Sequence, residues 1–318
     1  VFNTIRKFDD LAFNAPIPYN PPKDKIFPQY ESIFTYAYNK ENKQAFFKEE
    51  FYEKRKVLFG IRPCDLMGLQ CLDRFFMGQE FVDDFYLAHR KKTFIITNTC
   101  TTPFPQCFCV CTDSGPYAKE GYDINITKVD DTYRAEAGSE KGQEVLDSLK
   151  LEKAEDNSKE KISKVVDTCI SKFDNDAKEN KAWVSRAMNR ITTGYVDQKV
   201  WEFIGDRCFE CGACSFVCPT CSCFNIEDIN VSDEITKRKR TWDSCSFEGY
   251  TRMAGDHNPR QPVEDRRNKR FFCKLSYSQS KKYLRPGCIG CGRCARVCPG
   301  DIGLPNVVTY IRKETTEE

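Results

Sequence analysis

Histidine is scarce in this chain: only His89 and His257 occur in 318 residues. No Ser–His–Asp order is present, and neither histidine lies in a ligand-spaced motif. Long apolar runs are also missing, and none approaches the ~20 residues that a membrane span needs. No G-x-G-x-x-G follows a strand and no P-loop occurs, so a nucleotide or flavin site of its own is not expected. Charge is nearly balanced, with 49 basic and 47 acidic residues and a net charge of +2. A nucleic-acid-binding protein would need a strong basic excess. No signal-peptide pattern opens the chain. It starts at Val1 rather than a methionine, which leaves room for a preceding segment. Pro16, Pro18, Pro21 and Pro22 give the opening stretch the character of an extended connector.

Cysteine, by contrast, is abundant, with 19 residues. They cluster in ligand-like motifs, which points away from a secreted disulfide scaffold and towards a reducing, cytoplasmic setting. Cys208, Cys211, Cys214 and Cys218 read C-x₂-C-x₂-C-x₃-C, closed by Pro219, and Cys288, Cys291, Cys294 and Cys298 repeat the run with Pro299. This is the spacing of bacterial ferredoxins that hold 4Fe–4S cubanes. Three cysteines two residues apart wrap a loop around one cluster, with Gly212, Gly290 and Gly292 letting the backbone come close. The fourth leads away and ligates the other cluster. One cluster is therefore assigned to Cys208, Cys211, Cys214 and Cys298, and the other to Cys288, Cys291, Cys294 and Cys218. Each fourth cysteine could instead serve its own run. Structural zinc is the competing reading, but zinc sites favour paired knuckles and often histidine.

The first half reads as α/β. Val57–Ile61 is a buried strand, Leu66, Leu69, Leu72 and Phe76 fall at helical spacing, and Phe94–Ile96 is a second strand, a right-handed βαβ unit. Tyr122, Ile124 and Ile126 alternate ahead of a turn at Asp130-Asp131 and a strand over 132–137, a hairpin. Ile162, Val165, Val166, Cys169, Ile170 and Phe173 mark an amphipathic helix. From about residue 182 the chain is expected to be helical. The whole is α+β: an α/β domain with a mixed sheet over 1–150, a helical connector over 151–181, and a helical dicluster ferredoxin-like domain over 182–318.

A third constellation follows from the βαβ unit. Cys64 comes just after the first strand and Cys100 just after the second, so both lie at the carboxyl edge of the sheet, where α/β proteins bind ligands. Cys107 and Cys109 lie in the irregular loop beyond and can reach the same edge. These four cysteines could hold a further cluster; the bland alternative is a set of buried structural thiols. Cys71 is expected to pack, and Cys111 is a possible substitute ligand. With three clusters, each worth roughly two negative charges, the loaded protein would carry a net charge of about −4.

The chain resembles a family of iron–sulfur proteins that comprises the beta subunits of sulfhydrogenases and the related iron–sulfur subunits of anaerobic sulfite reductases. The resemblance rests on Phe59–Leu66 (FGIRPCDL), Cys107-Phe108-Cys109, Gly138–Gly142 (GSEKG) and the run from Cys208 through Cys218-Pro219-Thr220-Cys221-Ser222-Cys223. Trp242–Cys245 (WDSC), Met253–Gly255 and Asn258–Arg260 add to it, and similarity extends from about residue 20 to 308. It implies an electron-relay subunit between a flavin subunit that oxidises NAD(P)H and a catalytic redox partner: a hydrogenase, a sulfite reductase or a heterodisulfide reductase-like assembly. It also matches Cys64, Cys100, Cys107 and Cys109 to the family's N-terminal cysteines. The departures are Asp256, where a second glycine is expected, and Cys111. The alternative is a redox enzyme whose N-terminal cluster has an open iron site for a thiol or sulfur compound. Cys221 and Cys223 are read as packing residues that could also tune a cluster through S–H contacts, and Cys245 and Cys273 as structural. The basic stretches Lys237–Arg240 and Arg266–Arg270 are read as solvated helix faces that could also offset cluster charge.

Overall fold

In the computed structural model, residues 17–52, 54–173 and 183–313 are described. The start of the expected extended connector, with Pro16, and the end of the expected helical connector, residues 174–181, lie outside them.

The βαβ unit forms as expected. Strand β3 (Lys56–Ile61) runs parallel to β4 (Thr93–Asn98), with α1 (Pro63–Phe76) and α2 (Asp84–Lys91) between them. Pro63 opens α1 at its first turn, where a missing N–H is not needed. Strand β4 pairs in parallel with β5 (Ile124–Val129), which pairs antiparallel with β6 (Thr132–Ala137), giving the mixed sheet β3-β4-β5-β6. Leu66, Leu69, Leu72 and Phe76 of α1 are all buried against Leu58, Ile61 and Ile95. Each such side chain contributes roughly 1.5–3 kcal/mol by leaving water. Helices α3 (Glu140–Ser148) and α4 (Ser158–Ser171) follow.

The second half is not simply helical. Helices α5 (Trp183–Thr193), α6 (Gln198–Asp206), α8 (Val263–Leu275), α9 (Tyr277–Tyr283) and α11 (Leu304–Lys313) surround short α7 (Ala213–Phe216) and α10 (Arg293–Arg296). Its centre, however, is a β hairpin of β7 (Phe224–Ser232) and β8 (Ile235–Trp242). That hairpin joins β1 (Tyr30–Asn39) and β2 (Gln44–Glu49) in an antiparallel sheet of order β2-β1-β8-β7. Residues 30–49 and 224–242 thus share one sheet across the expected domain limits. Phe34, Tyr36 and Tyr38 of β1 alternate, but β8 carries the charged run Lys237–Arg240 and β7 interleaves Glu227 and Asp228, so no apolar alternation marks the hairpin.

The basic run Lys237–Arg240 therefore lies on a strand, not a helix face. Arg238 pairs with Asp228 in the hairpin, and buried Arg240 pairs with Glu31 and Asp83. The second basic run does lie on helix α8, but Arg266, Arg267 and Arg270 are buried. At the motif departure, Gly255 and Asp256 both adopt left-handed backbone (φ 76° and 61°), so the position suits a glycine and Asp256 occupies it. Among the described residues, no helix is long and apolar enough to cross a membrane.

Candidate metal centres

The two cysteine runs fold into matching loops. Each leads into a single helical turn, α7 or α10. At the residue two places after the first cysteine, Glu210 and Gly290 take left-handed backbone (φ 52° and 65°), and Gly212 and Gly292 do so two places further on (both φ 72°). The amides of Glu210 and Gly290 donate to Sγ of Cys208 and Cys288 at 3.4 and 3.3 Å. An N–H directed at sulfur favours its thiolate. The Leu304 amide likewise donates to Cys294 Sγ at 3.2 Å.

The runs are interlocked head to tail. Arg207, just before the first run, donates through Nε to the carbonyl of Gly300, just after the second, at 3.0 Å. Thr220, just after the first run, donates to the carbonyl of Gly287, just before the second, at 2.7 Å. Each run's last cysteine is thereby carried towards the other run's first three. Cys218 is close enough to Cys288, Cys291 and Cys294 to raise the cost of ionising all three. Cys208, Cys214 and Cys298 are partly buried, and Cys211 is exposed.

The N-terminal cysteines converge as well. Cys64 opens α1, Cys100 follows β4, and Cys107 and Cys109 come from the loop before and within the 3₁₀ turn Cys109–Thr112. Electrostatic coupling links Cys109 to Cys107 and Cys100, and Cys64 to Cys109. Burial pushes Cys107 up to about 12. This group lies directly on the second run: Cys107 Sγ donates to the Cys291 carbonyl at 3.6 Å, and the Phe108 amide donates to the Gly290 carbonyl at 2.8 Å. A Cβ on Gly292 would stand 2.5 Å from the Gln106 carbonyl oxygen, so only glycine permits this approach. Cys169, read as a core residue, is fully buried beside Cys100 and Cys109.

Charge around the loops is unbalanced in a way that fits an anionic, sulfur-ligated group. Lys23, Arg267, Arg270 and Lys274 are buried, and among the described residues none of them has a carboxylate ion-pair partner. They face the first run instead. Arg267 approaches Cys214 Sγ at 3.8 Å, and Arg270 donates to the Cys214 carbonyl at 2.8 Å. Burial pushes the Cys214 thiol up, but Arg270 and Arg267 outweigh it and hold the thiol below its ordinary value. Cys218 is held well below, first by a hydrogen bond from Cys221 and then, against burial, by Lys274 and Arg270. Burial, with a smaller push from Lys274, lowers Lys23 to about 8, despite the thiols beside it. Isolated buried cations are costly unless a negative group lies beside them. Thiolates with a negatively charged cluster would supply that group.

Comparison with known proteins places the region in a class. Residues 207–302 match the family model described as a 4Fe-4S dicluster domain, and the chain is accordingly an iron–sulfur protein of the electron-transfer type. Its similarity runs further than that domain. It is 27% identical over 322 aligned residues to Sulfhydrogenase 2 subunit beta of Pyrococcus furiosus, covering 98% of this chain and 89% of the relative. That is the resemblance the motifs carry. No solved structure matches the chain.

Proposed function

We propose that the chain is an electron-relay subunit holding three 4Fe–4S clusters in a line. The crossed contacts Arg207–Gly300 and Thr220–Gly287 carry this reading. They support ligation of one cluster by Cys208, Cys211, Cys214 and Cys298, and of the next by Cys288, Cys291, Cys294 and Cys218. Cys64, Cys100, Cys107 and Cys109 would hold the third, against the Cys291 loop.

Bound clusters would take up and pass on single electrons. The chain does the rest. Arg267, Arg270 and Lys274 balance thiolate charge and favour the reduced form. The 106–109 loop and Ile289 keep water from the second run. The exposed edge at Cys211, beside Phe209 with 69% of its surface exposed, offers a partner close approach to the first cluster. The partners proposed are a flavin-containing subunit that oxidises NAD(P)H and a catalytic redox subunit of hydrogenase, sulfite reductase or heterodisulfide reductase type.

The test is anaerobic purification of the complex from its own cells, followed by addition of NAD(P)H. The expected result is co-purification with two further proteins, one carrying flavin and the other a catalytic redox centre. Paramagnetic signals of reduced cubanes should appear in this chain, and electron flow should be lost in Cys214→Ser and Cys294→Ser. A colourless chain, silent after reduction, overturns the proposal.

A further inference from the structure

We propose that Cys221, Cys223, Cys245 and Cys273 bind an additional 4Fe–4S cluster, outside both ferredoxin runs and the N-terminal group. These thiols line one cavity of about 60 Å³, together with Tyr250, Arg270 and Lys274. Three separate stretches of chain bring them there. Cys221 and Cys223 immediately precede β7, and Cys245 lies three residues beyond β8. The base of the hairpin holds these ends together through the pair Phe224–Trp242 and the Asp243 amide, which donates to the Cys223 carbonyl at 3.0 Å. Cys273 enters from α8, between Arg270 and Lys274.

The surroundings match a thiolate-ligated anion. Tyr250 Oη donates to Cys223 Sγ at 3.1 Å, and Arg270 Nη1 donates to Cys221 Sγ at 3.7 Å. Cys223, Cys245 and Cys273 all lie within electrostatic reach of Tyr250. Cys71 also lines the cavity, from α1, and its charged neighbours are Arg285, Lys274, Arg74 and Cys218 rather than Cys223, Cys245 or Cys273.

Geometry favours a cluster over zinc. A tetrathiolate zinc with Zn–S of about 2.3 Å draws its sulfurs into direct contact and leaves no space between them. Here the thiols surround open space, when about 10–15 Å³ already suffices for one water. The proposal concerns what this cavity binds and stands whether or not the chain relays electrons.

The test is iron, sulfide and zinc analysis of the full-length protein prepared without oxygen, with paramagnetic resonance after reduction. Cys245→Ser and Cys273→Ser should each lose about four iron atoms per chain and one resonance signal, while Cys71→Ser keeps the wild-type count. Should the serine variants fail to fold, Cys273→His decides. Imidazole in place of a thiolate should keep the iron and raise the potential of one centre. Unchanged iron in the folded serine variants, unchanged potentials in Cys273→His, or loss of one zinc in place of four irons each overturns the proposal.

Discussion

The two ferredoxin runs have nearly the same backbone and quite different surroundings. Around the second run, packing is backbone against backbone and charge is closed. The loop of residues 106–109 presses on Gly290 and Gly292, and Arg293 forms a fully buried pair with Asp65. Around the first run, packing is side chain against backbone and charge is more open: Arg266 pairs with Glu210, but Arg267, Arg270 and Lys274 have no carboxylate partner among the described residues. Phe247 covers Gly212, and Arg267, Arg270 and Lys274 face sulfur. The spacing of the cysteines dictates a loop, while the neighbours dictate how rigidly it is held and at what electrostatic potential. The second run is built as an interior joint between the halves, and the first as a tunable edge.

Opening the closed charge should have the largest effect. Asp65→Asn strands Arg293 in a site where both partners have no exposed surface. Removing one partner of a buried pair costs about 3–5 kcal/mol, so the urea midpoint of the loaded protein should fall steeply. An unchanged midpoint would mean that water reaches Arg293. Next comes a paired substitution at equivalent glycines. Gly292→Ala forces a left-handed alanine, about 1–2 kcal/mol, and drives its Cβ to 2.5 Å from the Gln106 carbonyl oxygen. With the overpacking cost, roughly 3 kcal/mol is expected, along with loss of iron. Gly212→Ala has the same backbone cost, but its Cβ meets first the Phe247 ring, at 2.6 Å, which can swing aside, and then Ser244 Cβ at 3.3 Å. Roughly 1–2 kcal/mol is expected there. Equal losses at the two positions would erase the distinction between the runs.

This asymmetry was only partly legible in the sequence. The cysteine spacing, the βαβ unit and the hairpin over 124–137 follow local rules: ligand spacing, apolar runs and period-two alternation. The grouping of Cys64, Cys100, Cys107 and Cys109 was legible because two parallel strands must end at the same edge. The sheet joining residues 30–49 to 224–242 was not, because its strands carry Lys237, Arg238, Lys239 and Arg240 where alternating apolar residues would signal burial. Arg240's partners Glu31 and Asp83 are over 150 residues away in sequence. The gathering of Cys221, Cys223, Cys245 and Cys273 depends on that missed hairpin. A sequence clue existed, in the C-x-C directly before a strand and the lone cysteine directly after its return. The buried arginines of α8 look like surface charge until Cys214 and Cys218 are placed beside them.

Open charge on the first run should show in redox potential rather than stability. Arg270→Met keeps the side chain's bulk but removes a buried cation beside Cys214 and Cys221. Without it the reduced, more negative state of the nearby centres is less favoured. A loss of ~1.4 kcal/mol corresponds to about 59 mV for one electron. Redox titration should find a centre of the dicluster domain lowered by that order, with the N-terminal centre unmoved. Equal shifts at all centres would indicate a general loosening.

The smallest effect concerns the thiols themselves, once iron has been chelated from the folded chain. Cys214 and Cys218 are held below the ordinary thiol value of 9.0, Cys214 by Arg270 and Arg267 against burial, and Cys218 by the Cys221 hydrogen bond and Lys274. A depressed folded value means that their contribution to stability is present above the unfolded value and is lost as pH falls through the folded one. Cys288 has the opposite sign. Burial raises it well above 9.0, so its contribution is present below the unfolded value and is lost as pH rises through the folded one. Pulse alkylation with iodoacetamide near neutral pH should therefore label Cys214 and Cys218 before Cys288, because the thiolate is the reacting form. Raising the pH should narrow the gap. Should Cys288 label first at neutral pH, the arginines of α8 would not be acting on the first run, and the open charge that separates the two runs would have to lie elsewhere.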